Sequence, residues 1–436
     1  MATYLKKTSN KIEKTESQTK DIVNNLLNQI RSHGESAVRE LADKFDNWTR
    51  DIILSQEEIE TLIGKVPRKA KDDIQFAYDQ VYGFAVKQRE SMQAFETESS
   101  PGVILGQRLV PCQCAGCYVP GGRFSHAASA IMSVATAKAA GVPFVVACTP
   151  PRGESIHAVT AYALSLSGAD VIMALGGVQA IGAMAFGLFT DKPADIIVGP
   201  GNAYVAEAKR MLYGEIGIDV FAGPTESLII ADRTADPMIV AVDLVSQCEH
   251  GYDSPVWLLT DSKELGLKVI EIMPKVIADL PNPEVAASSW HDYGEVVLCE
   301  DREELAKVND VYAAEHVQVI AEDLDWYLEN LKNYGSLFLG EGCTVSHGDK
   351  TSGTNHILPT KKAARYSGGL NVGKFIKILT YQKLTEEANR TIGAVASRIS
   401  RYEGMEGHAR AADIRLRKYF PDETFDFEVY DQKSYV

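Results

Sequence analysis

Between residues 115 and 339, short apolar runs alternate with stretches of helical periodicity, and this alternation constrains the fold more than any other feature of the chain. Runs of strand length stand at 144–148, 171–175 and 196–198, with helix-like segments at 128–140, 155–167, 178–186 and 203–212 around them. The pattern repeats with runs at 227–231, 256–260, 296–299, 317–321 and 337–339. Parallel strands need crossover connections, usually helical, so repeated strand–helix units predict parallel sheets covered on both faces. Two such α/β units follow, 117–226 and 227–340. Upstream, apolar residues at helical spacing in 22–30, 35–45, 56–63 and 70–84 predict a helical N-terminal region. Residues 370–436 read as a mostly helical, polar tail that ends in an extended arm after Pro421. With 436 residues, 45% of them hydrophobic, the chain has material for two or more domains. The expected division is an arm over 1–24, a first α/β domain built from 25–117 and 227–369, a second over 118–226, and the tail over 370–436.

Charge and cysteine content narrow the class. Lys and Arg number 44 and Asp and Glu 59, a formal net charge of −15. Such a surface repels phosphate backbones, which argues against nucleic acid as a partner. No apolar run approaches the roughly 18 residues that span a bilayer. Residues 1–20 are polar and lysine-rich, unlike a secretory signal. Seven cysteines, an odd number in a large chain, fit reduced thiols and a cytoplasmic protein. Cys112, Cys114 and Cys117 lack the second spaced pair that a structural zinc site uses, so packing around a strand is the expectation.

Three segments carry chemistry. Gln247 and His250 stand three apart at the end of a helix whose start is marked by Asp236 and Pro237, so they share a face. A neutral imidazole suits zinc, and an amide oxygen serves where other ligands complete the shell. The plain alternative is a helix end whose histidine meets a carbonyl or the helix dipole. Asp349 and His356 lie seven apart in a loop rich in Gly, Ser and Thr, either a functional loop or an ordinary turn. Glu315 and His316 set a carboxylate beside an imidazole, the usual proton carrier, just ahead of a strand. Open α/β sheets place ligands at the carboxyl ends of their strands, so this pair serves if it lies beside such an end. Gly176-Gly177-Val178-Gln179 and Gly199-Pro200-Gly201-Asn202 each join a strand to a helix, where backbone N–H groups favour an anion such as a pyrophosphate. Neither has the spacing of a dinucleotide fingerprint.

In this order, Tyr118-Val119-Pro120-Gly121-Gly122, Gly199-Pro200-Gly201-Asn202, Ser246 to Gly251, Ala314-Glu315-His316 and Ser352 to Thr360 resemble the histidinol dehydrogenase family. Arg123 to His126, Gly348 to Gly353 and Glu403 to Asp413 look closer to its sulfopropanediol branch than to the histidine-biosynthetic one. The resemblance implies an α/β fold of two Rossmann-like parallel-sheet domains, with a helical N-terminal region and a helical C-terminal tail swapped between subunits. It implies a zinc- and NAD-dependent oxidation of a primary alcohol to a carboxylate through a bound aldehyde, in a homodimer with shared active sites. By motif position, Gln247, His250, Asp349 and His408 of the other subunit would bind zinc, and Glu315 and His316 would be the acid/base pair. Tyr118, Gln179 and Asn202 would meet NAD. Thr225, His356 and Glu403 would line the substrate pocket together with His316 and the zinc ligands. Three positions depart from the histidinol enzymes: Thr225 stands in place of a serine, Lys350 in place of an aromatic residue, and Arg123 in place of a small or neutral one. A cation beside the site suits an anion such as a sulfonate and repels a cationic amino alcohol. The expected substrate is therefore dihydroxypropanesulfonate, oxidised to sulfolactate, with histidinol or a related polyol or amino alcohol as the alternative. A catalytically silent binding protein would need damaged catalytic positions, and Glu315, His316 and the four ligands are intact.

Overall fold

A computed structural model describes residues 2–8, 16–121, 126–220 and 223–427. In chain order its strands are β1 Thr3–Lys6, β2 Phe95–Ser100, β3 Val103–Pro111, β4 Cys114–Tyr118, β5 Phe144–Thr149, β6 Val171–Ala174, β7 Ile196–Val198, β8 Gly217–Ile218, β9 Ser227–Ala231, β10 Val256–Thr260, β11 Glu295–Leu298, β12 His316–Ile320, β13 Ser336–Leu339 and β14 Ile376–Leu384. The chain forms two compact units, Met1–Glu90 with Pro111–Phe375, and Ser91–Val110 with Ile376–Val436.

The first unit holds two sheets, ordered β6-β5-β4-β7-β8 and β1-β11-β10-β9-β12-β13. Every pairing in them is parallel except that of β1 with β11. The α/β alternation in the sequence therefore reads correctly. Leaving aside β1, each sheet grows outward from its first strand, β4 or β9, then resumes on that strand's other side, which puts a switch point between β4 and β7 and another between β9 and β12.

The side-chain period of two explains the core of the larger sheet. Ile229, Leu258 and Val296 point to one apolar cluster. Leu228, Ile230, Leu259 and Val297 point to the other. Strands buried on both faces need not alternate in hydropathy, and β9, with sequence Ser-Leu-Ile-Ile-Ala, is buried throughout.

The helix Pro237–Cys248 follows β9 and runs back along the sheet. Its 12 residues span about 18 Å, and the five of β9 about 16 Å. The helix thus ends level with the start of β9. That length match delivers Gln247 and His250 to the amino edge of the sheet, beside the residues that open β9 and β12.

Two stretches differ from the sequence reading. The arm contributes β1, an antiparallel edge strand paired as Thr3 with Leu298 and Tyr4 with Val297. Lys6 secures it by donating to the carbonyls of Trp290 and Gly294 at 2.7 and 2.5 Å. The tail, read as mostly helical, supplies β14, and in the second unit this strand pairs with β3 of a β2–β3 hairpin. The helices Glu386–Tyr402 and Glu406–Tyr419 complete that unit. Both strands escape a hydrophobic-pattern reading, because β2 is exposed at every residue and in β14 the adjacent, exposed Ile378 and Leu379 break the alternation of faces. Among the described residues no helix is long and apolar enough to cross a membrane.

Candidate active site

Ser227 of β9 lies opposite His316 of β12, so the residues just before these strands are also neighbours. Glu226 N–H donates to Glu315 Oε2 at 3.0 Å. The Glu226 carbonyl accepts from the His316 backbone N–H at 3.2 Å and lies 3.0 Å from its Nδ1. A carbonyl can only accept, so Nδ1 carries a proton, and Nε2 is the ring atom left to gain or lose one. Nε2 is buried without a hydrogen-bond partner among the described residues, 3.6 Å from Asp349 Oδ1. Where the chain enters β13, a Cβ at Gly335 would fall on the Glu315 carbonyl oxygen, which accepts from Ser336 N–H at 3.0 Å. Only glycine allows that approach.

The sequence condition that Glu315 and His316 lie beside carboxyl strand ends is not met. They occupy the amino edge of a parallel sheet, because they open β12 and its neighbours run parallel to it, and the returning helix brings Gln247 and His250 to the same edge. The carboxyl edge of the other sheet, at its own switch point, carries Tyr118 at the end of β4, Gln179 after β6 and Asn202 after β7.

Burial sets the charges at the acid/base pair. It pushes Glu315 up to about 8 and Glu226 up to about 7. At His316 burial opposes the imidazolium, but Glu315 and Asp349 outweigh it and raise the ring to about 9. Burial likewise opposes the Asp349 carboxylate, yet the His316 imidazole beside it holds it down at about 2. Desolvation, with neighbouring positive charge, lowers His250, His356 and His126, so these imidazoles stay neutral.

Asp243 ties the ligand-bearing elements together. It accepts from Gln318 Nε2 of β12 at 2.7 Å and from Thr344 Oγ1, at the head of the helix Val345–Lys350, at 2.9 Å. The helix Pro237–Cys248 that carries Asp243 also carries Gln247. Gln247 Oε1 is buried and has no hydrogen-bond partner among the described residues. An orphaned amide oxygen, a neutral imidazole at His250 and an ionised Asp349 form a donor set that fits zinc. Among the described residues no three His, Cys, Asp or Glu side chains form a metal-binding group. The fit therefore rests on the amide and on a further ligand.

His356 Nδ1 donates to the Asp349 carbonyl at 2.8 Å, and Ser129 Oγ stands 2.9 Å from its Nε2. Thr225 lies in the loop beside Glu226, partly exposed. Lys350 is exposed on the helix that bears Asp349, and its positive charge is felt at His126, His250, His356 and Asp349. Glu403 and His408 are exposed and belong to the second unit, and Arg123 lies outside the described residues. Cys114 and Cys117 sit on β4, where burial raises both thiols above their ordinary range.

On the other sheet, Asp46 Oδ2 accepts from Gly176 N–H at 3.1 Å and Gln179 Nε2 at 2.9 Å, while the Tyr118 hydroxyl accepts from Gly177 N–H at 3.2 Å. Asn202 caps the helix Ala203–Leu212, accepting at 3.1 Å from the N–H groups of Tyr204 and Val205. Gly199 has φ +118°, and a Cβ there would strike the Tyr118 carbonyl. Its N–H donates to Asp219 Oδ2 at 2.7 Å and its carbonyl accepts from Lys209 Nζ at 2.8 Å. Lys209 and Asp219 are themselves a buried ion pair. Close backbone approach and a capped helix N-terminus fit a dinucleotide. Glu226, Asp243, Ser129, Asp46 and Lys209 were not singled out from the sequence, since none stands in a motif.

The family model for histidinol dehydrogenase matches residues 9–416. The chain belongs to the histidinol dehydrogenase family. It is 57% identical to sulfopropanediol 3-dehydrogenase of Ruegeria pomeroyi over 97% of this chain and 98% of that one. It is 38% identical to histidinol dehydrogenase of Methanothermobacter thermautotrophicus over 91% of this chain and 93% of that one. The crystal structure of histidinol dehydrogenase from Elizabethkingia anophelis superposes with a TM-score of 0.88 at 33% identity, covering 94% of each chain. Family and fold together make this chain an NAD-dependent dehydrogenase.

Proposed function

We propose that this dehydrogenase uses zinc and NAD to oxidise an anionic primary alcohol to a carboxylate through a bound aldehyde, with dihydroxypropanesulfonate as the alcohol and sulfolactate as the product. The observation that carries the anionic choice is Lys350, which follows Asp349 on one short helix and projects positive charge onto His250 and His356. The similarity to a sulfopropanediol 3-dehydrogenase supports the same reading. Histidinol is the second reading, favoured by the intact His356 and Glu403.

Gln247 Oε1, His250 and Asp349, with His408 of a second subunit, would hold zinc, and Tyr118, Gln179 and Asn202 would line the NAD site. Bound there, zinc supplies a Lewis acid for the alcohol oxygen and NAD a hydride acceptor. His316 Nε2, left free while the Glu226 carbonyl holds Nδ1–H, takes the hydroxyl proton when the ring is neutral. Glu315, ionised once pH passes about 8, then accepts a proton from the water that adds to the aldehyde carbon. Burial of both groups keeps bulk water from competing for these transfers.

The shared-site homodimer belongs to the same proposal. Ile392, Val395, Ile399 and Tyr402, 40%, 40%, 49% and 43% exposed, recur at helical spacing along Glu386–Tyr402. An apolar stripe of this kind supports burial against a second copy. Seven cysteines without a disulfide support a cytoplasmic location.

The test is Lys350→Ala. Steady-state kinetics on the sulfonate should give a KM raised by about tenfold or more, with kcat changed far less, because a lost ionic contact weakens binding at about 1.4 kcal/mol per decade. An unchanged KM removes Lys350 from the pocket.

A further inference from the structure

We infer that Glu226 is the positioning residue of the acid/base pair, a buried carboxyl that ties Glu315, His316 and the substrate loop to the chain at 360–362. The inference rests on the reading of Glu315 and His316 as the groups that move protons.

Glu226 meets both groups through its backbone. Its N–H holds the Glu315 carboxylate and its carbonyl holds the His316 ring. Its side chain reaches the other way. Oε1 accepts from Lys361 N–H at 2.8 Å, and Oε2 is buried without a hydrogen-bond partner among the described residues. A second stitch lies three residues upstream, where Gly223 N–H donates to Thr360 Oγ1 at 2.5 Å. The segment 223–226, which carries Thr225, is thus fastened at both ends to 360–361.

The far side of the bond is a constrained backbone. Lys361 and Lys362 have φ 52° and 65°, two successive non-glycine residues in the left-handed region. Such a conformation persists only where its surroundings impose it. The Glu226 carboxyl is one of the groups that impose it. A residue chosen for packing alone would be apolar here, because burying a carboxyl disfavours its charged form. The acid costs stability, and its contacts lead to the two proton carriers and to the loop of Thr225.

The experiment compares Glu226→Ala, Glu226→Gln and Glu226→Asp in the zinc-loaded enzyme with Glu315→Gln in parallel, reading kcat, KM and thermal midpoint. Glu226→Ala releases the Lys361 amide and should lower kcat by about 100-fold, the scale of a small misplacement, with KM within about threefold. Glutamine keeps an acceptor at Oε1 and should stay within about fivefold of wild type. Aspartate is one methylene too short for that amide and should lose at least tenfold in kcat, which decides the matter where the alanine variant does not fold. Wild-type kcat in the alanine or aspartate variant, or equal losses in the glutamine and alanine variants, would overturn the inference. Full activity in Glu315→Gln would overturn the acid/base reading beneath it. Wild-type rates in Glu226→Ala beside an inactive Glu315→Gln would overturn the positioning role alone.

Discussion

Glu315→Gln should lower turnover by about 10³-fold, within the range for a lost general base, and yet make the zinc-free protein more resistant to unfolding at pH 8. The first effect follows because an amide takes no proton from water. The second follows from linkage. Burial raises the folded Glu315 carboxyl to about 8 against an ordinary 4.5. Below pH 4.5 acid and amide are both neutral, so the variants unfold alike. As pH rises, the unfolded wild-type chain releases this proton while the folded chain retains it, and wild-type stability falls. The loss is complete once pH passes about 8. Urea unfolding of both proteins at pH 4.5 and pH 8 measures it: the stability difference should open in favour of Glu315→Gln as pH rises. A difference that is constant with pH would mean that the carboxyl is not buried as described. An active Glu315→Gln would remove it from the chemistry.

Lys209→Met should destabilise the protein by about 3–5 kcal/mol and raise the KM for NAD. Lys209 and Asp219 are each 3% exposed, and together they hold the N–H and carbonyl of Gly199. Removing the ammonium leaves a buried carboxylate without its counter-charge and frees the turn beside Tyr118 and Asn202. The double variant Lys209→Met with Asp219→Leu buries no lone charge, so it should recover much of the lost stability. It would not recover NAD binding, because neither replacement can hold Gly199. Thermal melts and NAD titrations separate the two effects. Equal stability of the single variant and wild type would contradict the buried pair.

The parallel sheets were legible because buried strands and their crossover helices leave strong apolar signals. Residues 196–198, 227–231 and 256–260 coincide with β7, β9 and β10. What the sequence hid depends on tertiary pairing. The strands β2 and β14 are largely exposed, and β14 pairs with β3 across a long stretch of chain. The acid/base pair was legible as a motif ahead of a strand, but its meeting with Gln247 and His250 follows from the return of the helix Pro237–Cys248, whose length must be set against that of β9. Glu226 looks in sequence like an ordinary acid before a strand. Its importance lies in the register of β9 with β12 and in contacts to residues 89 and 135 positions away. Asp46 reaches Gly176 and Gln179 over 130 and 133 residues, so no local spacing announces it.

A dehydrogenase turned toward an anionic alcohol reveals itself in NADH absorbance with zinc-loaded protein, NAD, and either dihydroxypropanesulfonate or L-histidinol at equal concentration. Rapid NADH formation is expected from the sulfonate, two NADH for each alcohol consumed, and little from histidinol. Rapid turnover of histidinol with none of the sulfonate would contradict that preference.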